Sequence, residues 1–226
     1  MSNLAEQERY YTYEEYLEIT RENDGILFEY IDGEIYAMAS PSTRHGDIST
    51  KLAGYLSQFL RGRTCKVFHS PVDVKFNFLN KKITIIPDIL VVCDKSKIKN
   101  DGIHGAPDFI IEVLSPSNST HDTITKLKWY RLAGVREYWI VDPIEKTVQV
   151  YVLENGKYIN ISYSDDDIIP VHVLEGCEIN LAEVFHDIIT EEDMINQKFI
   201  GALKASGVNI SDEQIEKAVK LMKTED

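Results

Sequence analysis

Ile85-Ile86-Pro87-Asp88-Ile89-Leu90-Val91-Val92 and Asp108-Phe109-Ile110-Ile111-Glu112-Val113-Leu114 are two apolar runs of strand character, and each carries an acid where burial should discourage one. A carboxylate inside a strand this apolar is costly to bury unless a cation or hydrogen-bond donors meet it. Two of them, at Asp88 and Glu112, predict a divalent metal ion. Hard cations such as Mg²⁺ take oxygen ligands and often need only one or two carboxylates, because water and substrate phosphates fill the remaining positions. Such a layout suits phosphodiester cleavage.

Around these runs the chain reads as α/β. Tyr13 to Ile19 predicts a short acidic helix, and Leu27 to Met38 predicts two strands about an Asp32-Gly33 turn. A helix follows, capped by Ser42 or Thr43, with Ile48, Leu52, Tyr55, Leu56 and Phe59 on one apolar face. Val72, Val74, Phe76 and Phe78 alternate as a strand, and a turn at 79–82 leads into the Asp88 run. The segment Asp94 to Pro107 is polar and predicts a loop. After the Glu112 run and a Ser-Pro break comes a helix from about Thr120 to Ala133, ended by Gly134. Val135 to Val141, Val148 to Leu153 and Tyr158 to Tyr163 complete the strands, the last two joined at Asn155-Gly156. From Thr190 the composition changes to two acidic helices, the second opened by a Ser211/Gln214 capping box with Ile215, Val219 and Met222 on one side. That stripe either closes the end of the domain or forms a surface for a second copy or a partner.

The net charge of −13 in 226 residues argues against a partner made of phosphate. Its distribution softens the objection. Residues 1–34 sum to −8 and residues 165–226 to −10, which leaves +5 on residues 35–164. Within that middle, Arg44, Lys51, Arg61, Arg63, Lys66, Lys75, Lys81 and Lys82 face only Asp47 and Asp73, a candidate phosphate-facing surface or an ordinary solvated face. Cys65, Cys93 and Cys177 lie far apart and form no CxxC, so neither a zinc knuckle nor a disulfide framework is expected, and the compartment is expected to be reducing and cytoplasmic. The N-terminus has no signal-peptide pattern, and no run approaches membrane-spanning length. The six histidines make no HxH or HExxH pair, and GxSxG is absent, so neither a histidine zinc site nor a serine nucleophile is indicated.

Pro87-Asp88, followed 24 positions later by Glu112, resembles the PD-(D/E)XK nuclease superfamily, and more closely its Uma-type restriction endonuclease branch. Where the superfamily motif has a lysine two positions after the acid, this chain has Leu114. The Uma-type pattern instead sets the lysine on the next helix, where Lys126 stands in Thr123-Ile124-Thr125-Lys126-Leu127-Lys128-Trp129-Tyr130. Phe28-Glu29-Tyr30-Ile31-Asp32-Gly33-Glu34-Ile35, His45 and Gly134-Val135-Arg136-Glu137-Tyr138-Trp139-Ile140-Val141-Asp142-Pro143 extend the likeness over roughly residues 10–190.

The resemblance implies a restriction-endonuclease-like core, a central mixed sheet flanked by helices, over 1–190, with an acidic helical extension over 191–226. It implies Asp88 and Glu112 as Mg²⁺ ligands (Mn²⁺ substituting), Lys126, Glu29 and His45 as further catalytic residues, DNA as substrate and a dimer as assembly. The residues leave alternatives. Asp122, four positions before Lys126, offers it a surface ion pair. Helical phase groups Lys126 with Trp129, Tyr130 and Ala133 and so turns it inward. Glu29 also suits the surface of a hairpin, and His45 a helix start. The rival to a nuclease is a nuclease-like fold that binds nucleic acid or protein without cutting.

Overall fold

The computed structural model of the chain describes residues 9–78, 81–115 and 121–186. Almost all of these belong to one compact unit, Met1–Phe185. The tail helices expected beyond Thr190 lie outside the described residues.

Helix α1 (Tyr13–Glu22) starts with a capping box: Thr12 accepts from the Glu15 amide, and the Glu15 carboxylate accepts from the Thr12 amide. Strands β1 (Phe28–Ile31) and β2 (Glu34–Ala37) form the expected hairpin, with Asp32 and Gly33 both at positive φ, 54° and 96°. A tight two-residue turn that matches strand twist needs this geometry. Helix α2 (Thr43–Phe59) is capped by Ser42 and buries Ile48, Leu52 and Leu56.

Next come β3 (Lys66–His69), β4 (Val74–Phe78), β5 (Lys81–Ile85) and β6 (Ile89–Val92). The segment expected to be a plain loop contains the short strands β7 (Ile98–Lys99) and β8 (Gly102–His104). Strand β9 (Phe109–Val113) precedes a π-helical turn, His121–Lys126, which runs into α3 (Leu127–Ala133). Gly134 ends that helix in the left-handed conformation. Then follow β10 (Glu137–Asp142), β11 (Thr147–Glu154), β12 (Lys157–Ser164), β13 (Ile168–Pro170), β14 (Glu178–Asn180) and α4 (Leu181–Phe185).

The single central sheet expected from sequence is corrected to two. Each is six-stranded and mixed, ordered β2-β1-β5-β4-β8-β7 and β12-β11-β10-β9-β6-β3, with a separate β13-β14 ribbon. The cause lies in the opening stretch itself. Proline has no N–H to give a ladder, and the apolar run that reads as one strand breaks at Pro87. Its first half, β5, pairs in the first sheet, and its second half, β6, pairs in the second. Asp88 stands where the chain crosses between them. The core joins both sheets to the helix: Val74, Phe76, Ile83 and Ile85 from the first, Leu90, Ile110, Tyr138 and Ile140 from the second, and Trp129 and Tyr130 of α3.

The cysteine reading is also corrected. β3 and β6 are antiparallel with Lys66 opposite Val92, so one step further Cys65 meets Cys93, and the two form a disulfide. Cys177 is a buried free thiol, which burial pushes up to about 11.

Candidate active site

Strands β6 and β9 pair antiparallel with Ile89 opposite Ile111. One position beyond, where the ladder stops, that register sets Asp88 opposite Glu112. The side chains take over the backbone's hydrogen bonds at this point. Asp88 Oδ2 accepts from the Val113 amide at 2.8 Å, and Glu112 Oε2 accepts from the Asp88 amide at 3.4 Å. Strand ends thus fix both carboxylates without consuming all their oxygens. Asp88 Oδ1 accepts no hydrogen bond among the described residues.

Lys126 comes in from the π-helical turn. Its ammonium lies 3.0 Å from Glu112 Oε1 and 3.0 Å from Glu29 Oε1. Lys126, Glu29 and Glu112 are each no more than 3 % exposed. Lys126 is therefore held inside the fold by Glu29 and Glu112; the Asp122 side chain lies outside the described residues. Glu29 is not a surface residue of its hairpin, since it also accepts from the Ile86 amide at 2.9 Å and bonds His121 Nε2 at 2.9 Å. Burial alone would raise the Glu29 carboxyl, but the Lys126 charge and the bonds from His121 and Ile86 outweigh it and hold the group below its ordinary value.

Tyr130, fully buried, donates to Glu112 Oε1 at 2.8 Å. Burial first, then the charge of Glu112, push its hydroxyl well above the usual tyrosine range, so it stays a donor. Lys126 and Tyr130 sit one helical turn apart, a spacing that groups them on one face in the sequence. His121 gave no such signal. Its ring reaches Glu29 through the π-helical turn and packs at 4.1 Å on Tyr36 of β2, a contact between distant segments.

His45 lies in the first turn of α2, where the Ser42 cap fixes its backbone. Its Nε2 is 3.0 Å from Asp88 Oδ2. His45, Asp88, Glu112 and Lys126 line one cleft of about 480 Å³, together with His69 at the end of β3. His69, overlooked in the sequence, bonds the Ser70 carbonyl through Nδ1 at 2.8 Å. All five residues nominated from sequence are thus brought together, four on the cleft wall and Glu29 behind Lys126.

Among the described residues no group of three or more His, Cys, Asp or Glu side chains is arranged to hold a metal. Asp88 and Glu112 alone still suit a hard divalent cation. Both are carboxylates, they face each other at the cleft wall, and such an ion draws its other ligands from water and phosphate.

The basic stretch 44–82 is less bare than it reads. Lys51 pairs with Asp47 at 2.8 Å, Lys75 with Asp101 at 2.9 Å, Lys82 with Glu14 at 3.3 Å, and Lys81 with Asp32. These four of the eight expected phosphate-facing cations are compensated by acids. No helix among the described residues is long and apolar enough to cross a membrane.

Comparison with known proteins bears on this geometry. The model of the Uma2 family, described as "putative restriction endonuclease", matches residues 13–182. An uncharacterized protein of Synechocystis sp. is 30% identical over 156 residues, 68% of this chain and 80% of that protein. A second uncharacterized Synechocystis protein is 27% identical over 126 residues, 54% of this chain and 70% of its own. Among solved structures, a protein from Anabaena variabilis, described as a "putative nuclease belonging to DUF820", superposes with a TM-score of 0.59 at 23% identity, covering 70% of this chain and 89% of that one. At that identity the likeness concerns the fold.

Proposed function

The chain belongs to the Uma2 family, described as "putative restriction endonuclease", and from that premise we propose that it is a divalent-metal-dependent endonuclease that hydrolyses phosphodiester bonds in DNA. The observation that carries this reading is the meeting of Asp88, Glu112 and Lys126 at one cleft, with two carboxylates opposed across a strand pair and a buried ammonium 3.0 Å from one of them. Asp88 and Glu112 would hold Mg²⁺ or Mn²⁺, which would supply Lewis acidity toward a phosphoryl oxygen and lower the pKa of a water.

The chain's own residues do the remaining work. Lys126 stabilises the negative charge that grows on the phosphorane, and a preorganised donor of this kind contributes about 10² to 10³ in rate. Glu29 and Tyr130 are positioning residues: Glu29 fixes the Lys126 ammonium from behind, and Tyr130 fixes Glu112 Oε1. His45 orients Asp88 through Oδ2 and leaves Oδ1 directed to other partners.

One observation favours a second reading, a fold that binds nucleic acid without cutting: Lys126 divides its charge between two buried acids. Incubation with supercoiled, linear and single-stranded DNA under Mg²⁺, Mn²⁺ or chelator separates the two. Cleavage that needs metal and is lost in Asp88→Asn supports the nuclease. Binding with no cleavage under any metal overturns it in favour of the second reading.

A further inference from the structure

Outside the cleft, the outer side of α3 and the β11-β12 hairpin enclose a groove of about 530 Å³ whose lining includes Lys128, Arg131 and Lys157 and no acidic side chain. In a chain of net charge −13, three converging cations call for an account. Among the described residues none of the three is in an ion pair. Arg131 spends one N–H on the Gly156 carbonyl at 3.4 Å, and the Lys128 ammonium lies 5.0 Å from the Trp129 ring centre. Four lysines of the 44–82 stretch, by contrast, are neutralised by acids.

The groove also has an aromatic lining. Tyr151 and Tyr158 face it with ring centres 5.9 Å apart. The Tyr158 hydroxyl donates to the Val135 carbonyl at 3.0 Å, which anchors the far end of that ring. Ile124, 65 % exposed, adds an apolar rim. Cations that follow a phosphate backbone beside aromatic faces that receive bases are the two elements of single-strand recognition. In a duplex the base faces are stacked inside and closed to such rings.

We propose that this groove binds a single-stranded segment of nucleic acid, with phosphates on Lys128, Arg131 and Lys157 and a base against Tyr151 and Tyr158. The nature of the ligand rests on the nuclease reading, but binding here needs neither metal nor cleavage. The same helix that is entered through Lys126 on the cleft side carries Lys128 and Arg131 on the groove side. A substrate whose strands are locally separated would thus meet the protein at two places.

The test is fluorescence anisotropy in chelator with a short labelled oligothymidylate, a duplex of equal length, and polyglutamate as competitor. The full-length wild type, Lys128→Glu/Arg131→Glu and Lys157→Glu are compared after their melting curves show that each is folded. The expected result is tighter binding of the single strand than of the duplex, with at least tenfold weakening in the charge-reversed variants. Their salt dependence should be shallower, by about 0.7 in log–log slope for each phosphate that is no longer neutralised. Unchanged affinity in the reversed variants overturns the groove as the site; equal binding of duplex, or displacement by polyglutamate as effective as by unlabelled oligothymidylate, overturns the assignment of the ligand. Cleavage plays no part in the readout, so a failure of the nuclease reading and a failure of this one are separate outcomes.

Discussion

Asp88 and Glu112 occupy facing positions of the β6-β9 pair, one step past Ile89 and Ile111, and each carboxylate accepts the amide that the interrupted ladder would otherwise leave without a partner. The break at Pro87 that ends the ladder also creates the site. A continued ladder would pair those amides with backbone carbonyls and take them away from the two acids. Their positions are therefore built into strand register rather than into a loop, which is the rigid scaffold a metal-binding pair requires.

Two facing carboxylates repel, and a cation that binds only the folded state relieves this and stabilises the fold by mass action. Mg²⁺ or Mn²⁺ at about a hundred times its dissociation constant should add roughly 2.7 kcal/mol. Asp88→Asn should abolish that increment, and Glu112→Gln should reduce or abolish it. Thermal melts with and without metal check this; an equal metal-induced rise in wild type and both variants would rule out Asp88 and Glu112 as the ligands.

For Lys126 the structure changes what a mutation should do. A lysine exposed on the helix surface would cost little to remove. Lys126 instead lies between two buried acids, and breaking a buried pair by removing one partner costs about 3 to 5 kcal/mol. Lys126→Ala should therefore unfold at markedly lower denaturant. Combining Lys126→Met with Glu29→Gln should recover part of the loss, because one unpaired charge goes with its partner, while cleavage stays down by about 10² to 10³. Lys128→Ala, on the groove side, should leave the cleavage rate at saturating plasmid within a few-fold of wild type. Activity in the Lys126 double variant equal to wild type would show that Lys126 carries no catalytic charge stabilisation.

The sequence made Glu112 legible because apolar neighbours on both sides leave an acid no route to water, and it made Lys126 legible because helical phase put it with Trp129 and Tyr130. Both signals are local. The split of Lys81–Val92 into two sheets was not legible: apolar content continues through Ile85-Ile86, and only pairing partners far along the chain decide which sheet each half joins. His121, the β3 strand and the Cys65-Cys93 bridge were hidden for the same reason. Each depends on the register between segments well separated in sequence, whereas composition and spacing report on neighbours.

The lowered Glu29 carboxyl predicts an acid limb of stability. A group held below its unfolded value contributes stability that is fully present above that value, near pH ~4.3, and is lost as pH falls through the folded one. Wild type should hold its stability down to about pH 4.3 and lose it progressively below. Glu29→Gln should be weaker at neutral pH by about 1.5 to 3 kcal/mol, the scale of hydrogen bonds to a charged group, and should show a shallower acid limb. Urea midpoints between about pH 7 and pH 3 test this. Parallel curves for the two proteins would mean that Glu29 is not ionised in the fold, or that its partners do not favour the ion.

The disulfide makes the last prediction. Cys65 and Cys93 close a loop with a sequence separation of 28, and constraining an unfolded chain over such a loop is worth about 3 to 4 kcal/mol. The bridge holds β3 against β6 close to the cleft, since the Ser70 amide just beyond β3 donates to the Asp88 carbonyl at 2.9 Å. Reductant should therefore lower the melting temperature of the wild type and leave Cys65→Ser/Cys93→Ser, already lowered, unchanged. Thiol titration of the unreduced, denatured wild type should find a single reactive thiol, that of Cys177. Three thiols from protein prepared without reductant, or equal sensitivity of wild type and double variant to reductant, would remove the bridge from the account of stability. Reduction of the bridge should also weaken metal stabilisation, because the strand edge that positions Asp88 loses its tie; a metal-induced shift of equal size before and after reduction would show that the bridge does not position Asp88.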